Sequence, residues 1–256
     1  MPIELSGQRV LVVGASSGIG AAIASQAAAG GARVVVSARR ADQLESLAGS
    51  LEGAVALPAD VRDERAVRDM VGSAVESLGG LDAVVYAAAT SPLLPMSEAT
   101  QAHWREVLDT NVVGAALVAS ATAPHLVASG GRLVMLSSKS VRQPFADLGL
   151  YSTSKAALDG LIRCLPVEFP GLRVTRVVVG NTHSTDFAAG WDGEALGAAI
   201  DRWIESGALG ASDPLHPDEV AASVLHVLTS AAHIDDVAVL DTPSPVAEAP
   251  DGRGLA

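Results

Sequence analysis

Short runs of β-branched residues recur along the chain and alternate with longer stretches rich in alanine and leucine. The runs fall at residues 9–13, 33–38, 54–59, 81–87, 132–137, 173–179 and 237–241. The stretches between them space their apolar residues as helices do, as at residues 19–29, 63–78 and 151–168. This alternation predicts right-handed crossovers and a parallel sheet. Because the runs are almost continuously apolar, we expect helices on both faces, giving a single-domain, doubly wound α/β fold of three layers.

The charge and cysteine content limit the kinds of partner that the chain can have. Lysine and arginine number 17 against 29 aspartates and glutamates, so the formal net charge is −12, which opposes binding to nucleic acid or anionic lipid. The single cysteine, Cys164, excludes an intramolecular disulfide and indicates a reducing, cytoplasmic location. No apolar run is long enough to predict a helix that spans a membrane.

Two segments interrupt the alternation. Residues 186–217 form an insertion with glycine-rich ends, which we expect to be a lid on a domain comprising residues 1–241. The apolar residues that share one face of its predicted helix are Leu196, Ile200, Trp203 and Ile204. Residues 242–256 contain three prolines and few apolar side chains, so they are expected to be a frayed C-terminal tail.

The first strand runs directly into a turn that contains Gly14, Gly18 and Gly20, after which a helix begins. A helix N-terminus offers unpaired amide donors and a positive dipole end, and glycines let a pyrophosphate approach them closely. The spacing differs from the G-x-G-x-x-G dinucleotide fingerprint. From these residues alone, a plain tight turn before a buried helix is an equal alternative.

The end of the second strand bears on the choice of cofactor, because a dinucleotide places its adenosine ribose there. An acidic residue at this point would bind both ribose hydroxyls, whereas this chain has Ala38, Arg39 and Arg40. Two guanidinium groups suit a 2′-phosphate through charge-assisted, bidentate contacts. The sequence therefore favours NADP(H) over NAD(H), with two solvated charges at a helix start as the alternative.

Tyr151 and Lys155 lie four residues apart in a predicted helix, so both side chains emerge on one face. An ammonium group favours the phenolate and makes proton transfer by the tyrosine feasible. Ser138 ends the fifth strand, at the edge where a parallel sheet opens into a crevice, and its hydroxyl can orient a carbonyl. Asn111 interrupts an apolar helical stretch and needs partners if it is buried; a structural amide at a kinked helix is the alternative reading.

The chain resembles the short-chain dehydrogenase/reductase (SDR) family from about Gly7 to Asp241. The resemblance rests on the segments VGASSGIG, PADVRD, LDAVVYAAA, NVVG, LSS and YSTSKAAL, which follow the family's order and spacing. It implies a Rossmann fold and a homotetramer, with a dimer as the fallback. It also implies that Tyr151 is the general acid/base, that Lys155 lowers its pKa and binds the nicotinamide ribose, and that Ser138 holds the substrate oxygen. Asn111 would bind a water that links Lys155 to solvent.

The resemblance further implies a set of contacts to the dinucleotide. Arg39 corresponds to the arginine that selects NADP, with help from Arg40, and Asp60 to the acid that binds adenine. The other expected cofactor contacts are Gly14, Ser16, Ser17, Gly18, Ile19, Gly20, Val61, Ala88, Asn111, Tyr151, Lys155, Gly180 and Thr182. One departure stands out, because the family's Asn-Asn-Ala-Gly after the fourth strand reads Tyr-Ala-Ala-Ala at residues 86–89. Local backbone bonding must therefore differ there.

These observations favour an NADP-dependent enzyme that interconverts a carbonyl and a hydroxyl group of a small molecule. The alternatives are a non-catalytic NADP-binding or scaffold protein, and an SDR-type lyase or epimerase in which Trp191 or His183 would act. The six histidines lack metal-ligand spacing, so no metal is expected. Residues that suggest an apolar substrate pocket are Val141, Phe145, Leu148, Leu150, Phe187 and Trp191.

Overall fold

The computed structural model describes residues 4–210 and 212–243. Its strands are β1 (Arg9–Val13), β2 (Arg33–Ser37), β3 (Val55–Ala56), β4 (Ala83–Tyr86), β5 (Arg132–Ser138), β6 (Arg173–Val179), β7 (Ser212–Asp213), β8 (Asp236–Val239) and β9 (Thr242–Pro243). Its helices are α1 (Gly18–Ala29), α2 (Ala41–Ser50), α3 (Glu64–Leu78), α4 (Gln101–Leu108), α5 (Gly114–Ser129), α6 (Gly149–Glu168), α7 (Gly193–Glu205) and α8 (Pro217–Thr229). A π-helical turn, Asp109–Val113, joins α4 to α5.

Seven strands form one parallel sheet in the order β3-β2-β1-β4-β5-β6-β8. The chain moves outward from β1 in one direction and then, from β4, in the other. The crevice of such a sheet lies outside the carboxyl ends of its strands, where the order reverses. The predicted doubly wound α/β fold with a single domain is confirmed.

Helices cover both faces of the sheet and bury two separate apolar cores. On one face, Ile23 and Ala24 of α1 pack with Val220 and Val224 of α8. On the other face, α3, α5 and α6 pack together over residues such as Leu133 of β5. Burial on both faces explains why the strands read as continuous runs of valine and leucine rather than as an alternating pattern.

The structure corrects the predicted limits of several elements. The third strand was predicted over residues 54–59, but β3 has only two residues. The predicted tail begins as β9, which pairs antiparallel with β7 of the lid, so Thr242 and Pro243 are not frayed. Residues 244–256, the remainder of that tail, lie outside the described residues.

The predicted lid consists of a short helical turn at Asp186–Ala188, then α7 and then β7. Helix α7 packs against the loop between β5 and α6, where Trp203 and Ala199 join Phe145 and Leu148 in a third apolar cluster. Ile204 was expected on the same face, but its side chain is 57% exposed. The buried face of α7 is therefore narrower than the spacing predicted: Trp203 packs on the loop before α6, whereas Ile204 lies on the solvent side of the helix.

Helices α4 and α5, with the turn between them, form one helical segment, Gln101–Ser129, that is long and apolar enough to cross a membrane. The expectation that no segment would meet this test is therefore corrected. Its apolar side chains have another explanation, because Val118, Ala119 and Ala123 are fully buried in the core that α3 and the sheet share.

Candidate active site

One cleft of about 820 Å³ opens at the carboxyl ends of the strands. At one side it is lined by the turn after β1 and the end of β2, residues 14–20 and 38–40, which we name the glycine half. At the other side it is lined by the loop before α6 and by the lid, within residues 145–148 and 187–209, which we name the lid half. Ser138, Tyr151 and Lys155 line the cleft between the two halves.

Close packing makes two of the glycines in the turn necessary. A Cβ atom on Gly14 would lie 2.4 Å from the backbone nitrogen of Ala88, and its φ of +89° is one that other residues rarely adopt. A Cβ atom on Gly20 would lie 2.2 Å from the carbonyl oxygen of Gly14. The turn is therefore held tightly against the segment that follows β4, which fixes the direction in which α1 begins.

The N-terminus of α1 has no side-chain cap within the helix, and the carboxylate of Asp186 in the lid reaches the hydroxyl of Ser17 beside it. Ser17 is the N-cap residue, but its side chain makes no capping hydrogen bond, and the first turn carries no acidic residue. The first amides of α1 keep their donors directed at the cleft, where the helix dipole favours negative charge. A diphosphate is the chemical group that such a glycine-lined helix N-terminus binds, so the residues present fit a dinucleotide.

The two arginines after β2 differ in their surroundings. Arg40 forms an ion pair of 2.6 Å with Asp186 of the lid and donates hydrogen bonds of 2.9 and 2.7 Å to the hydroxyls of Ser16 and Ser17. Arg39 is exposed at the cleft and takes part in none of the ion pairs formed by the described residues. Arg39 is thus the guanidinium with free donors, while Arg40 already joins the turn to the lid.

Most of the other residues predicted to touch the cofactor line the cleft. They are Ser16, Ser17, Gly18, Ile19, Val61, Ala88, Gly180 and Thr182. Asp60 is absent from the lining and instead binds Arg62 through both carboxylate oxygens. The hydrogen bonds from Arg62 lower the pKa of the Asp60 carboxyl. Partial burial acts in the opposite direction, but the pKa stays below its usual value. A contact between Asp60 and adenine stays a prediction.

The phenol of Tyr151 faces the cleft beside Ser138. Burial raises the pKa of Tyr151 to about 12, because the phenolate is poorly solvated there, and a hydrogen bond with Ser138 acts in the opposite direction. The predicted lowering of this pKa by Lys155 is therefore not found, because Ser138 is the group that lowers it and burial outweighs that effect. The Ser138 hydroxyl also accepts a hydrogen bond of 3.1 Å from the backbone amide of Ser140. At neutral pH the tyrosine is therefore a proton donor, held next to a hydroxyl that can share an oxygen with it.

Lys155 lies one helical turn after Tyr151 and is buried. Its Nζ atom is 5.6 Å from the centre of the Tyr151 ring and donates a hydrogen bond of 2.7 Å to the carbonyl oxygen of Leu136. Burial lowers the pKa of Lys155 to about 8, and the charge of Asp159 opposes that change. Asp159 lies one further turn along α6 and is held by Ser137 and Arg176, each at 2.6 Å. Asp159 was not among the residues predicted from the sequence, although its four-residue spacing from Lys155 was a usable signal.

Asn111 lies in the π-helical turn between α4 and α5 and is fully buried. Its amide bonds in both directions with the backbone of Thr90, at 2.8 and 2.9 Å, and donates a further bond of 2.9 Å to the hydroxyl of Ser154. This arrangement matches the alternative of a structural amide at a kinked helix, and it fixes the turn against α6. A part for Asn111 in a proton relay stays a prediction.

Tyr86, the last residue of β4, stands where the family has the first asparagine of its Asn-Asn-Ala-Gly segment, and its side chain makes a hydrogen bond. The hydroxyl of Tyr86 is fully buried and donates a hydrogen bond of 2.5 Å to the carbonyl oxygen of Thr110. Burial raises the pKa of Tyr86 well above its usual value, so this phenol stays a donor. Tyr86 therefore joins the end of β4 to the π-helical turn. That the backbone bonding here differs from the family's stays a prediction.

A buried ion pair, which sequence reasoning also missed, lies under the lid half. The Nζ atom of Lys139 is 2.9 and 3.1 Å from the two carboxylate oxygens of Asp241. Ser212 of the lid and Asn181 also donate hydrogen bonds to this carboxylate. Burial opposes ionisation, but these donors prevail and lower the pKa of Asp241 to about 2. Asp241 thus ties the ends of three strands to the base of the lid.

The lid half is lined by apolar and aromatic side chains. Among the predicted pocket residues, Phe145, Leu148, Phe187 and Trp191 line it. Val141 and Leu150 do not, and Leu150, in the first turn of α6, is buried in the protein. The spacing along the loop did not reveal which side chains would turn inward.

Comparison with known proteins agrees with this architecture. A family model described as short chain dehydrogenase matches residues 8–194. Glycine betaine reductase ATRR of Emericella nidulans is 35% identical over 90% of this chain, but the match spans only 18% of that protein. Dehydrogenase/reductase SDR family member 2, mitochondrial, of Homo sapiens is 33% identical over 72% of this chain and 68% of its own length.

Among solved structures, a short chain dehydrogenase from Burkholderia cenocepacia, determined in complex with NADP, is 31% identical to this chain. The two superpose with a TM-score of 0.79 over 92% of this chain and 97% of that one. The family resemblance read from the sequence is confirmed: the chain belongs to the short-chain dehydrogenase family of oxidoreductases.

Proposed function

We propose that this protein is an NADP(H)-dependent oxidoreductase that interconverts a carbonyl and a hydroxyl group, with Tyr151 as the general acid/base. The observation that carries the proposal is the meeting of Ser138, Tyr151 and Lys155 in the same cleft as the uncapped N-terminus of α1. One end of the cleft suits a diphosphate, and the middle supplies a proton donor. That combination is what hydride transfer to a carbonyl requires.

In the reduction direction, the C=O double bond becomes one C–H and one O–H bond. When bound, reduced nicotinamide supplies the hydride, which is two electrons with one proton, and is itself oxidised. Ser138 holds the carbonyl oxygen, and Tyr151 donates a proton to that oxygen as negative charge develops on it. The ammonium group of Lys155 stabilises the charge left on the tyrosine. A tyrosine with a pKa of about 12 is protonated at neutral pH, so it can act as the proton donor in reduction.

Arg39 supports the preference for NADP(H) over NAD(H). Its guanidinium is exposed just after β2 and has no ion-pair partner among the described residues that would compete with a 2′-phosphate, whereas Arg40 is engaged with Asp186. The related short chain dehydrogenase from Burkholderia cenocepacia, which is described in complex with NADP, points in the same direction. By contrast, we do not propose glycine betaine as the substrate of this chain, because the chain matches under a fifth of the glycine betaine reductase.

A cytoplasmic location and a homotetramer, with a dimer as the fallback, complete the proposal. The single cysteine supports the location, and the family resemblance supports the assembly. Light scattering on the purified protein would give the mass of the assembly directly. A monomeric mass would contradict the assembly while leaving the catalytic proposal in place.

The proposal is tested by titrating the purified protein with NADPH and NADH and then measuring the oxidation of NADPH with a panel of ketones and aldehydes. We expect tighter binding of NADPH and stoichiometric formation of alcohol. Binding of NADPH without turnover of any substrate would favour a scaffold protein. Conversion of a substrate without net consumption of cofactor would favour a lyase or epimerase.

A further inference from the structure

The aromatic side chains of this protein are concentrated in one place. The whole chain has three tryptophans, two tyrosines and three phenylalanines. Five of these eight line the cleft, and they are Phe145, Tyr151, Phe187, Trp191 and Trp203. Four of them belong to the lid half, and the fifth is the proposed proton donor. Most of the few aromatic residues in this chain therefore lie in the lid half or beside it.

The rings form two contacting groups that surround the reacting centre. The ring of Phe187 lies 4.8 Å from that of Tyr151 and 5.2 Å from that of Trp191, measured between ring centres. Phe145 and Trp203 meet edge to face at 5.3 Å. Aromatic pairs favour such orientations, so the wall beside Tyr151 consists of rings that already contact one another.

The polar atoms of the two tryptophans are already used. The indole nitrogen of Trp191 donates a hydrogen bond of 2.8 Å to the carbonyl oxygen of Ser91. The indole nitrogen of Trp203 donates one of 2.7 Å to the carbonyl oxygen of Ala146. Neither donor is free for a substrate, so these two residues offer carbon surface to the cleft.

The charged side chain that lines the cleft near the lid half is also paired within the protein. Lys, Arg, Asp and Glu side chains that line the cleft, within the described part of the chain, are Arg39, Arg40, Lys139, Lys155 and Asp186. Three of them lie at the glycine half or bridge to it, and Lys155 supports Tyr151. Lys139 is the one that lies toward the lid half, and Asp241 neutralises it with both of its oxygens. Toward the lid half, no Lys, Arg, Asp or Glu side chain among the described lining residues is left without an opposite charge, and the imidazole of His183, which also lines the cleft, is 2.7 Å from the hydroxyl of Ser184.

From this arrangement we infer that the lid half selects uncharged carbonyl compounds whose substituent is an apolar ring or chain, an inference that rests on the proposed function. Moving a carboxylate or an ammonium group out of water without a partner costs several kcal/mol, whereas apolar carbon gains free energy on burial. Aromatic rings can attract a quaternary ammonium group. In this cleft, however, no carboxylate among the lining residues that the structure describes stands free to pair with one.

The test compares three ketones of similar shape: acetophenone, 4-acetylbenzoate and 4-acetyl-N,N,N-trimethylanilinium. Each kcat/KM with NADPH is divided by the rate of borohydride reduction of the same ketone, which removes differences in intrinsic reactivity. We expect acetophenone to exceed both charged ketones by at least about 100-fold, as an unpaired buried charge implies. Equal or better use of either charged ketone would overturn the inference while leaving the proposed function intact. If other ketones or aldehydes of the panel are reduced but acetophenone is not, the inference is overturned and the proposed function stands. If NADPH binds but no carbonyl compound of the panel is reduced, the proposed function fails, and this inference fails with it.

Two isoleucines on α7 provide a matched pair of variants. Ile200 lines the lid half, whereas Ile204, one turn later on the same helix, is 57% exposed. Ile200→Lys places an unpaired cation in the lid half and should raise the preference for 4-acetylbenzoate over acetophenone at least about tenfold. Ile204→Lys adds the same charge outside and should leave that preference unchanged. If the two variants behave alike, the substrate does not lie against the lid half, and the inference is wrong.

Discussion

The two halves of the cleft bind by different means. In the glycine half, backbone amides, two close-packed glycines and a guanidinium with free donors are arranged for a ligand rich in negative charge. In the lid half, polar atoms are tied to the protein itself, and aromatic and aliphatic carbon remains. The difference teaches how one cleft can divide its work under the proposed function: backbone amides and charge would hold the cofactor, and side-chain surface would hold the substrate.

The sharpest test of the reacting centre between the halves is the removal of one hydroxyl. Tyr151→Phe should lower kcat for carbonyl reduction about 1,000-fold, because the proton donor is lost, while the Kd of NADPH stays the same. The matched control is Tyr86→Phe, which removes the other tyrosine hydroxyl of the chain. Thr110 would then lack its donor, so this control should lower the free energy of unfolding by about 1–2 kcal/mol and leave kcat nearly unchanged. Equal losses of kcat in the two variants would contradict the assignment.

Adding one methyl group to a close-packed glycine of the glycine half should destabilise the protein. Gly14→Ala forces a Cβ atom onto the backbone of Ala88 and a strained φ, so we expect the free energy of unfolding to fall by more than about 2 kcal/mol. Gly49→Ala is the control, because a Cβ there meets nothing within 4 Å and the residue lies inside α2. That substitution should be neutral or slightly stabilising. Thermal unfolding of both variants measures the contrast, and a Gly14→Ala protein as stable as the parent would show that the turn can relax.

The roles of the two arginines can be separated by cofactor binding. Arg39→Ala should weaken NADPH binding about tenfold and hardly change NADH binding, since a charge-assisted contact to the 2′-phosphate is lost. Arg40→Ala should have a smaller effect on the ratio of the two dissociation constants, because Arg40 is held by Asp186. Fluorescence titration of both cofactors with both variants gives that ratio. If Arg40→Ala has the larger effect, the ion pair opens when the cofactor binds.

The smallest expected effect concerns pH. Because the pKa of Lys155 lies near 8 rather than above 10, the lysine is charged below pH 8 and loses its charge above it. The kcat/KM for carbonyl reduction should therefore be level up to about pH 8 and fall as pH rises further.

Asp159→Asn removes the charge that raises the pKa of Lys155, so the decline should begin at lower pH, with a loss of less than about tenfold at pH 8. Asp236→Asn breaks the outer ion pair of Arg176 and keeps Asp159, so its pH profile should stay in place. A profile that shifts equally in both variants would argue for a structural rather than an electrostatic role of Asp159.

How much of this could be read from the sequence depends on how far apart the interacting residues lie. The glycine turn and the pair of Tyr151 and Lys155 are local patterns, so spacing and backbone geometry were enough to place them. The fold followed from the alternation of strands and helices. Asp159 belonged to the same local pattern and could have been found.

The remaining features join residues that are distant along the chain. Lys139 and Asp241 are 102 residues apart, and Arg40 and Asp186 are 146 apart. Neither pairing follows from any periodicity, since each depends on how the lid settles on the sheet. The error at Ile204 has a related cause: a helix face is only approximately defined by spacing, and the packing partner decides where the buried stripe ends.

The pairing of β9 with β7 has a practical consequence for anyone who trims or fuses this protein. A shortened form ending before Thr242 would remove the strand that supports the lid from below. Such a form would keep its sheet and yet hold its substrate pocket less firmly. Immobilisation or crystallisation designs should therefore leave the chain intact at least through Pro243.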